Sequence, residues 1–271
     1  MSSLAASVIL HPKLSQALAL LATTIGRDKV YRLIQYLARL ITWSLLKRGD
    51  TDAAARWEGL KNGLAMGRRI LRLFRPAEFM QSAMVLAEKP ISSLHGAGQL
   101  AHVAQIARQV GYAGFFSFDM MVWLGSIRFL RYDKDKLARF QKLSFQFWLF
   151  GILSSLTSTT ASLVKLRADS RRFALSTEMA RREAAGEGKT GEDRTRAEEE
   201  RREKGRALLA QRQQILSQLI MDSCDVWIPA TNLGFTNLNE GVLGALGATT
   251  SYMALQKLWI KHESAAKRKR A

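Results

Sequence analysis

Residues 59–75 have the sequence GLKNGLAMGRRILRLFR, in which apolar and basic side chains recur with helical spacing. At 100° per residue, the large apolar side chains share one side of a helix and the basic ones share the other. A bulky apolar face opposite a purely basic face is typical of helices that lie among lipid headgroups. The sequence therefore predicts a membrane-binding helix formed by Leu60, Lys61, Leu64, Arg68, Arg69, Ile70, Leu71, Arg72, Phe74 and Arg75.

The basic side of this segment has no acidic partner within it, because no Asp or Glu lies between Lys61 and Arg75. Like charges three or four residues apart on a helix repel each other. We therefore expect an anion outside the chain, such as a lipid phosphate, to compensate them. The alternative interpretation is a core helix with a basic solvent face.

The preceding segment, residues 26–49, has a similar two-sided pattern. Leu33 and Leu37 fall on its apolar side, whereas Asp28 and Arg32 fall on the opposite side. For this segment taken alone, the ordinary interpretation is a core helix whose apolar side is buried.

Composition limits both the fold and the partners. The chain has 271 residues, a net charge of +18, 47% hydrophobic residues, four prolines and one cysteine. Helical periodicity without sustained strand-type alternation predicts an all-α fold of long amphipathic helices. Such a charge suits nucleic acid or an anionic membrane. Residues 1–110 hold 15 basic and 6 acidic side chains on helices with wide apolar faces, and no nucleic-acid-reading module is recognisable. We expect an anionic phospholipid membrane as the partner, and no nucleic acid.

Two apolar stretches predict one or two membrane-spanning helices in the C-terminal half. Residues 143–164, LSFQFWLFGILSSLTSTTASLV, carry no charge and are long enough to cross a hydrocarbon core. The second stretch, residues 241–260, carries one charge. Within it, Gly241, Gly244 and Gly247 recur at three-residue spacing, which indicates a close-packing helix surface.

A third apolar run, residues 110–127, has a single charge, Asp119, at its middle. In a bilayer this carboxylate would be costly and would indicate a functional position such as a pore lining. The alternative is a buried polar residue whose carboxylate is satisfied by a base or a hydroxyl, in a segment that packs against other helices.

The chain divides by composition into four segments. Residues 1–110 form an amphipathic-helix region, 111–164 an apolar membrane-associated region, 165–225 a charged helical linker with a glycine-containing break at 183–195, and 226–271 a Gly-rich membrane helix with a basic tail. Basic flanks outside both predicted spans place the two termini on the cytosolic side.

No residue constellation supports an enzyme. The four histidines are dispersed, the single cysteine has no histidine beside it, and no nucleotide-binding or nucleophile motif occurs. The sequence therefore predicts no catalytic residue, no cofactor and no metal site.

Four stretches occur in the same order as in one family: TTIGRDKVYRLIQYLARL, GLKNGLAMGRRILRLFR, FFSFDMMVWLGSI and GALGATTSYMALQKLW. Together they resemble the peroxisome-proliferation peroxins, the eleventh peroxin group, in its fungal form. The resemblance runs from about residue 10 to 260 and departs from the family at the charged insert around 167–206.

The resemblance implies a peroxisomal membrane protein that self-associates, elongates the membrane and prepares peroxisomes for division by a dynamin-type fission machinery and its membrane adaptors. The family's membrane-tubulating helix corresponds here to residues 60–75. A peroxisomal membrane channel for small metabolites is one alternative. A non-peroxisomal, mitochondrial membrane protein is another, since the N-terminal region is basic and poor in acid.

Overall fold

The structure, a computed structural model, describes residues 10–91, 94–186 and 191–268. Within these ranges the regular structure is helical and no strand occurs, as the sequence predicts. The helices are α1 (Pro12–Leu21), α2 (Thr24–Lys47), α3 (Thr51–Ile70), α4 (Arg75–Ala87), α5 (Ala97–Ser126), α6 (Lys134–Gly186), α7 (Gly191–Asp225), α8 (Trp227–Asn232) and α9 (Glu240–Arg268).

Helices α2 and α3 form a tight antiparallel pair with well-defined ends. Thr23 caps α2 by accepting a hydrogen bond from the backbone N–H of Gly26 at 3.0 Å, and Asp50 caps α3 by accepting one from Ala53 at 3.0 Å. Gly49 adopts a left-handed conformation with φ of 82° in the connection between them. The caps and the glycine turn define where α2 ends and where α3 begins, antiparallel to α2.

The predicted helix at 59–75 has different ends in the structure. Helix α3 starts earlier, at Thr51, and stops at Ile70, and α4 starts at Arg75. Pro76 explains the interruption, because its ring would clash with the carbonyl of Arg72 if α3 continued through it. Leu71 and Phe74 therefore lie in the turn between two helices.

The described residues form two compact units. The first comprises 10–79, 112–149 and 224–268, and the second comprises 80–91, 94–111, 150–186 and 191–223. Both are discontinuous in sequence, so they do not follow the four consecutive segments outlined from composition. Part of the predicted break at 183–195, residues 187–190, and the end of the basic tail, residues 269–271, lie outside the described residues.

In the first unit, α9 packs antiparallel against α2 through its glycines. Gly241 faces Trp43, Gly244 faces Leu40 and Gly247 faces Tyr36. A Cβ atom at Gly244 would lie 2.8 Å from the backbone nitrogen of Leu40. The small-residue surface read from the sequence is thus the contact of a helix pair within the chain, and Tyr36, Leu243 and Ala248 form part of the buried core beside it.

One helix in the described part of the chain, α6, is long and apolar enough to cross a membrane, by length and composition alone. The qualifying region, Lys134–Ala180, contains the predicted span at 143–164. Helix α9, which contains the second predicted stretch, is not among the helices that qualify. Its glycines and polar residues lower its apolar content, and they contact α2 instead.

Candidate membrane-binding site

Five charged side chains of the first unit form a chain of alternating sign beneath the α3–α4 turn. Arg68 Nε lies 3.0 Å from Asp28 Oδ1, and Arg72 Nε lies 4.0 Å from the same oxygen. The other end of the Arg72 guanidinium, Nη2, contacts Asp119 Oδ2 at 3.1 Å, and Arg69 Nε contacts Asp119 Oδ1 at 3.1 Å. The order is Arg68, Asp28, Arg72, Asp119, Arg69, and it ties α3 to both α2 and α5.

This ion-pair chain is buried and hydrogen-bonded. Asp28, Asp119 and Arg68 expose only 4%, 6% and 7% of their surface. Arg68 Nη1 also donates to Gln35 Oε1 at 2.7 Å, and Arg69 Nη2 donates to Gln141 Oε1 at 3.3 Å. Additional polar partners of this kind are what a buried charge needs to offset its lost hydration.

Burial and charge act in opposite directions on these groups. Burial would raise the pKa of Asp28, but the guanidinium groups of Arg68 and Arg72 hold that pKa below its ordinary value. The pKa of Arg68 is lowered to about 10, mainly by burial. The Asp28 carboxylate raises this pKa, whereas the positive charges of Arg72 and Arg32 lower it. The carboxylate is thus stabilised in its charged form, while the arginine lies among an excess of positive charge.

Helical spacing places these residues together. Asp28 and Gln35 are seven residues apart on α2 and so lie on one side of that helix. Arg68 lies in the last turn of α3, and Arg72 lies in the connection that follows it. The polar sides of the two helices therefore face each other. This reverses the ordinary interpretation of residues 26–49, in which the apolar side would be buried.

A second ionic group connects α2 to the C-terminal part of the first unit. Arg32 Nη2 lies 2.7 Å from Asp225 Oδ1, which also accepts a hydrogen bond from Thr250 Oγ1 at 2.7 Å. Arg39 donates to both carboxylate oxygens of Glu240, at 2.6 and 2.7 Å. Burial opposes the charged form of Arg32, but the Asp225 carboxylate raises the pKa of this guanidinium above its ordinary value. The interior of the first unit thus contains ion pairs beside its apolar core.

Its outside carries large apolar side chains. Leu60 is 43% exposed, Ile70 52% and Phe74 85%. On α2, Ile34 and Leu37 are also exposed. Buried ion pairs beneath exposed large apolar side chains are uncommon in a protein in water. The predicted apolar residues Leu64 and Leu71 are half-buried.

The structure corrects one expectation about the basic face. Compensating anions for Arg68, Arg69 and Arg72 were expected outside the chain, but Asp28 and Asp119 provide carboxylates within it. Lys61 and Arg75 also have acidic neighbours on their own helices, Glu58 at 2.6 Å and Glu78 at 3.7 Å. The sequence of residues 61–75 alone does not reveal these partners, because tertiary contacts bring Asp28 and Asp119 to the site.

The Asp119 carboxylate is therefore paired with basic side chains. This agrees with the alternative interpretation of residues 110–127, in which Asp119 is a buried polar residue and not a pore lining. Asp28, Gln35 and Gln141 were not singled out as site residues by the sequence. A signal for Asp28 existed, since it lies on the polar side of residues 26–49 together with Arg32. Among the described residues, no group of three or more His, Cys, Asp or Glu side chains could hold a metal ion.

Proteins that are similar to this chain in sequence are peroxisomal proteins by name. The protein named Peroxisomal biogenesis factor 11 from Schizosaccharomyces pombe is 22% identical over 251 residues, covering 92% of this chain and 96% of that protein. Peroxisomal membrane protein PMP27 from Saccharomyces cerevisiae is 25% identical over 93% of this chain and 97% of its own length. Human Peroxisomal membrane protein 11B is 23% identical over 87% of this chain and 94% of its own length.

None of these names describes an enzyme. No solved structure matches the chain. The family model of Peroxisomal biogenesis factor 11 matches residues 14–259, which is most of the chain. The resemblance drawn from the four sequence stretches is thereby confirmed, and the chain belongs to the PEX11 family of peroxisomal membrane proteins.

Proposed function

We propose that this chain shapes the peroxisomal membrane by inserting the apolar surface around the α3–α4 turn into the cytosolic leaflet. The observation that carries the proposal is the exposure of Ile70 and Phe74 at the α3–α4 turn, whereas Asp28 and Arg68 beneath that turn are buried. An apolar surface on a membrane protein gains free energy by entering lipid, and a wedge confined to one leaflet bends the bilayer.

The basic residues divide into two roles in this proposal. Arg68, Arg69 and Arg72 hold the end of α3 against α2 and α5, so that the apolar wedge is presented rigidly. Lys61 and Arg75 contact exposed carboxylates on their own helices, Glu58 and Glu78, and interact with anionic headgroups at the edge of the inserted face.

Copies of the chain concentrate such wedges by self-association and present an elongated membrane to a dynamin-type fission machinery and its adaptors. Helix α6 anchors each copy in the bilayer. The channel alternative receives no support from Asp119, because its carboxylate contacts Arg69 and Arg72. The names of the relatives favour a peroxisomal over a mitochondrial membrane.

A double substitution tests the wedge in the full-length protein. Ile70→Ser with Phe74→Ser removes two exposed apolar side chains without touching the ion-pair chain. Their insertion contributes about 3 kcal/mol in total, roughly a hundredfold in an insertion equilibrium. We therefore expect the frequency of tubules from anionic liposomes, counted by electron microscopy, to fall to near background.

The matched control is Leu100→Ser with Leu209→Ser. These leucines are 54% and 62% exposed, lie in the second unit and lie outside α6, so the loss of exposed apolar surface is similar. The control variant should form tubules like the wild type. Equal tubulation by both double variants, at equal protein incorporation, would show that the α3–α4 turn is not the wedge.

A further inference from the structure

Helices α6 and α7 run antiparallel to each other in the second unit. Ser155 of α6 donates a hydrogen bond to Asp222 of α7. Further from this buried pair, a Cβ atom at Gly205 of α7 would lie 3.8 Å from the ring of Phe173 of α6. The two contacts have the same antiparallel register, so residue 175 of α6 is level with residue 203 of α7.

Helix α6 is longer than a bilayer is thick. Its 53 residues extend over about 80 Å at about 1.5 Å per residue, whereas a hydrocarbon core measures about 30 Å. The inference below rests on the proposed anchoring of α6 in the bilayer through residues 143–164. Residues 165–186 of α6, with the first half of α7 beside them, then lie outside the hydrocarbon, where an exposed apolar side chain has no lipid to cover it.

The outer edge of α6 in this projecting part is apolar and basic. Leu175 follows Phe173 by two residues, about 200° around the helix, and therefore points away from α7. Leu175 and Met179, one turn apart, are 66% and 63% exposed. Arg171 and Arg172 lie one turn before Leu175 and are exposed. Neither arginine has a carboxylate within ion-pairing distance among the described residues. These four residues form the basic edge.

The outer edge of α7 at the same level is acidic. Glu203 precedes Gly205 by two residues, so it points away from α6 as Leu175 points away from α7. Glu199 lies one turn before Glu203, and both are exposed. Two carboxylates four residues apart repel each other, and in the described part of the chain neither has a basic group within ion-pairing distance. Glu199 and Glu203 form the acidic edge.

We propose that the basic edge of one copy of the chain binds the acidic edge of a second copy. In copies with the same orientation in the membrane the two edges meet at one height, because residues 175 and 203 are level. Arg171 and Arg172 then lie about 5 Å from Glu203 of the neighbour along the helix axis, which a guanidinium side chain can reach. An anionic lipid surface fits less well, since it would repel the acidic edge.

This contact is heterologous, since it joins two different surfaces. Each copy that contributes its basic edge still has a free acidic edge, on the opposite side of the α6–α7 pair. Such a contact adds copies in a row, whereas a two-fold dimer contact closes on itself. Rows of copies are a physical basis for the self-association that concentrates the wedges in the proposed function.

Charge exchange between the edges tests the contact in the full-length protein. One variant, Arg171→Glu with Arg172→Glu, makes the basic edge acidic, and the other, Glu199→Arg with Glu203→Arg, makes the acidic edge basic. Association is measured as Förster transfer between donor-labelled and acceptor-labelled copies in phosphatidylcholine liposomes. Within either variant the edges now carry the same sign. We therefore expect the apparent association constant to fall about tenfold or more.

A mixture of the two variants is the decisive sample. In the mixture every contact between unlike copies again joins opposite charges, so transfer should return to about half of the wild-type value or more. Lys204→Glu with Arg212→Glu is the matched control, because it changes the net charge by the same amount as reversal of the basic edge. Both control residues are exposed and lie about 100° and 180° around α7 from Glu203. The control should associate like the wild type.

Three results would overturn the contact: no wild-type transfer above that expected from random proximity, wild-type transfer in either reversed variant alone, or no recovery in the mixture. If a reversed variant loses its helical circular dichroism, the wild type decides, because transfer through exposed charge pairs must fall as salt is raised. Ile70→Ser with Phe74→Ser should leave transfer unchanged. Failure of the contact is thereby distinguished from failure of the wedge.

Discussion

Asp28→Asn should destabilise the first unit by about 3–5 kcal/mol, the range expected when one partner of a buried ion pair is removed. Asp28 is 4% exposed and is the carboxylate nearest to Arg68, at 3.0 Å. Its loss leaves Arg68 without a carboxylate within ion-pairing distance among the described residues. The measurement is the unfolding midpoint of the full-length protein in detergent, followed by circular dichroism.

Asp133→Asn is the matched control. Asp133 is exposed, directly precedes α6, and Asn caps helices as well as Asp does. The control should remain within about 0.5 kcal/mol of the wild type, the usual range for surface substitutions. If both variants unfold at the same midpoint, the ion-pair chain does not stabilise the unit, and the description of its arginines as structural is wrong.

The loss of folding stability at acidic pH provides an independent measurement of the role of Asp28. The folded-state pKa of Asp28 lies below its ordinary value of 3.8 because Arg68 and Arg72 outweigh burial. The stabilisation is therefore fully present above that ordinary value and is lost as the pH falls through the lower folded-state pKa. Between neutral pH and strong acid, wild type should lose more stability than Asp28→Asn. Parallel acid curves for the two proteins would contradict this assignment.

The sequence predicted the helical architecture well, because helical periodicity is a local property. The two-sided pattern of residues 26–49 and the basic segment at 59–75 both correspond to helices. What the pattern could not tell is which side faces inward. That depends on the solvent: in water the apolar side is buried, whereas in lipid Ile34 and Leu37 can stay outside while Asp28 and Arg32 meet partners within the unit.

Contacts between residues that are distant in sequence were the second feature that the sequence pattern could not predict. Arg69 and Arg72 meet Asp119 from α5, and no periodicity within α3 encodes that contact. Pro76, by contrast, is a local signal for a helix break. The two-sided pattern of residues 59–75 does not reveal the break before Pro76, because that pattern assumes one continuous helix. Helical periodicity averages over such breaks, so it describes the composition of the two sides of this segment but not its shape.

The spacing of the α9 glycines predicts a packing surface, but spacing alone cannot name its partner. Small residues permit close approach to any helix, in lipid or in water. The partner is α2, whose residues Tyr36, Leu40 and Trp43 oppose Gly247, Gly244 and Gly241. The contact joins the N-terminal and C-terminal parts of the first unit, and so its loss should affect the whole unit.

Gly244→Ala tests this contact with one added methyl group. The new Cβ would lie 2.8 Å from the backbone nitrogen of Leu40 and 3.0 Å from its Cα atom. Because the obstacle is backbone, no side-chain rotation can relieve it, and α2 and α9 must separate. We expect a loss of about 1–3 kcal/mol in the free energy of unfolding, as for other overpacked cores.

Gly63→Ala makes the same chemical change in α3, where a Cβ would meet nothing within 4 Å. Alanine is the better helix former, so this control should gain about 0.5–1 kcal/mol. The two variants are thus expected to shift the denaturation midpoint in opposite directions. A gain for Gly244→Ala as well would mean that helix propensity outweighs the α2–α9 contact, and that the two helices are not held together as closely as their glycines indicate.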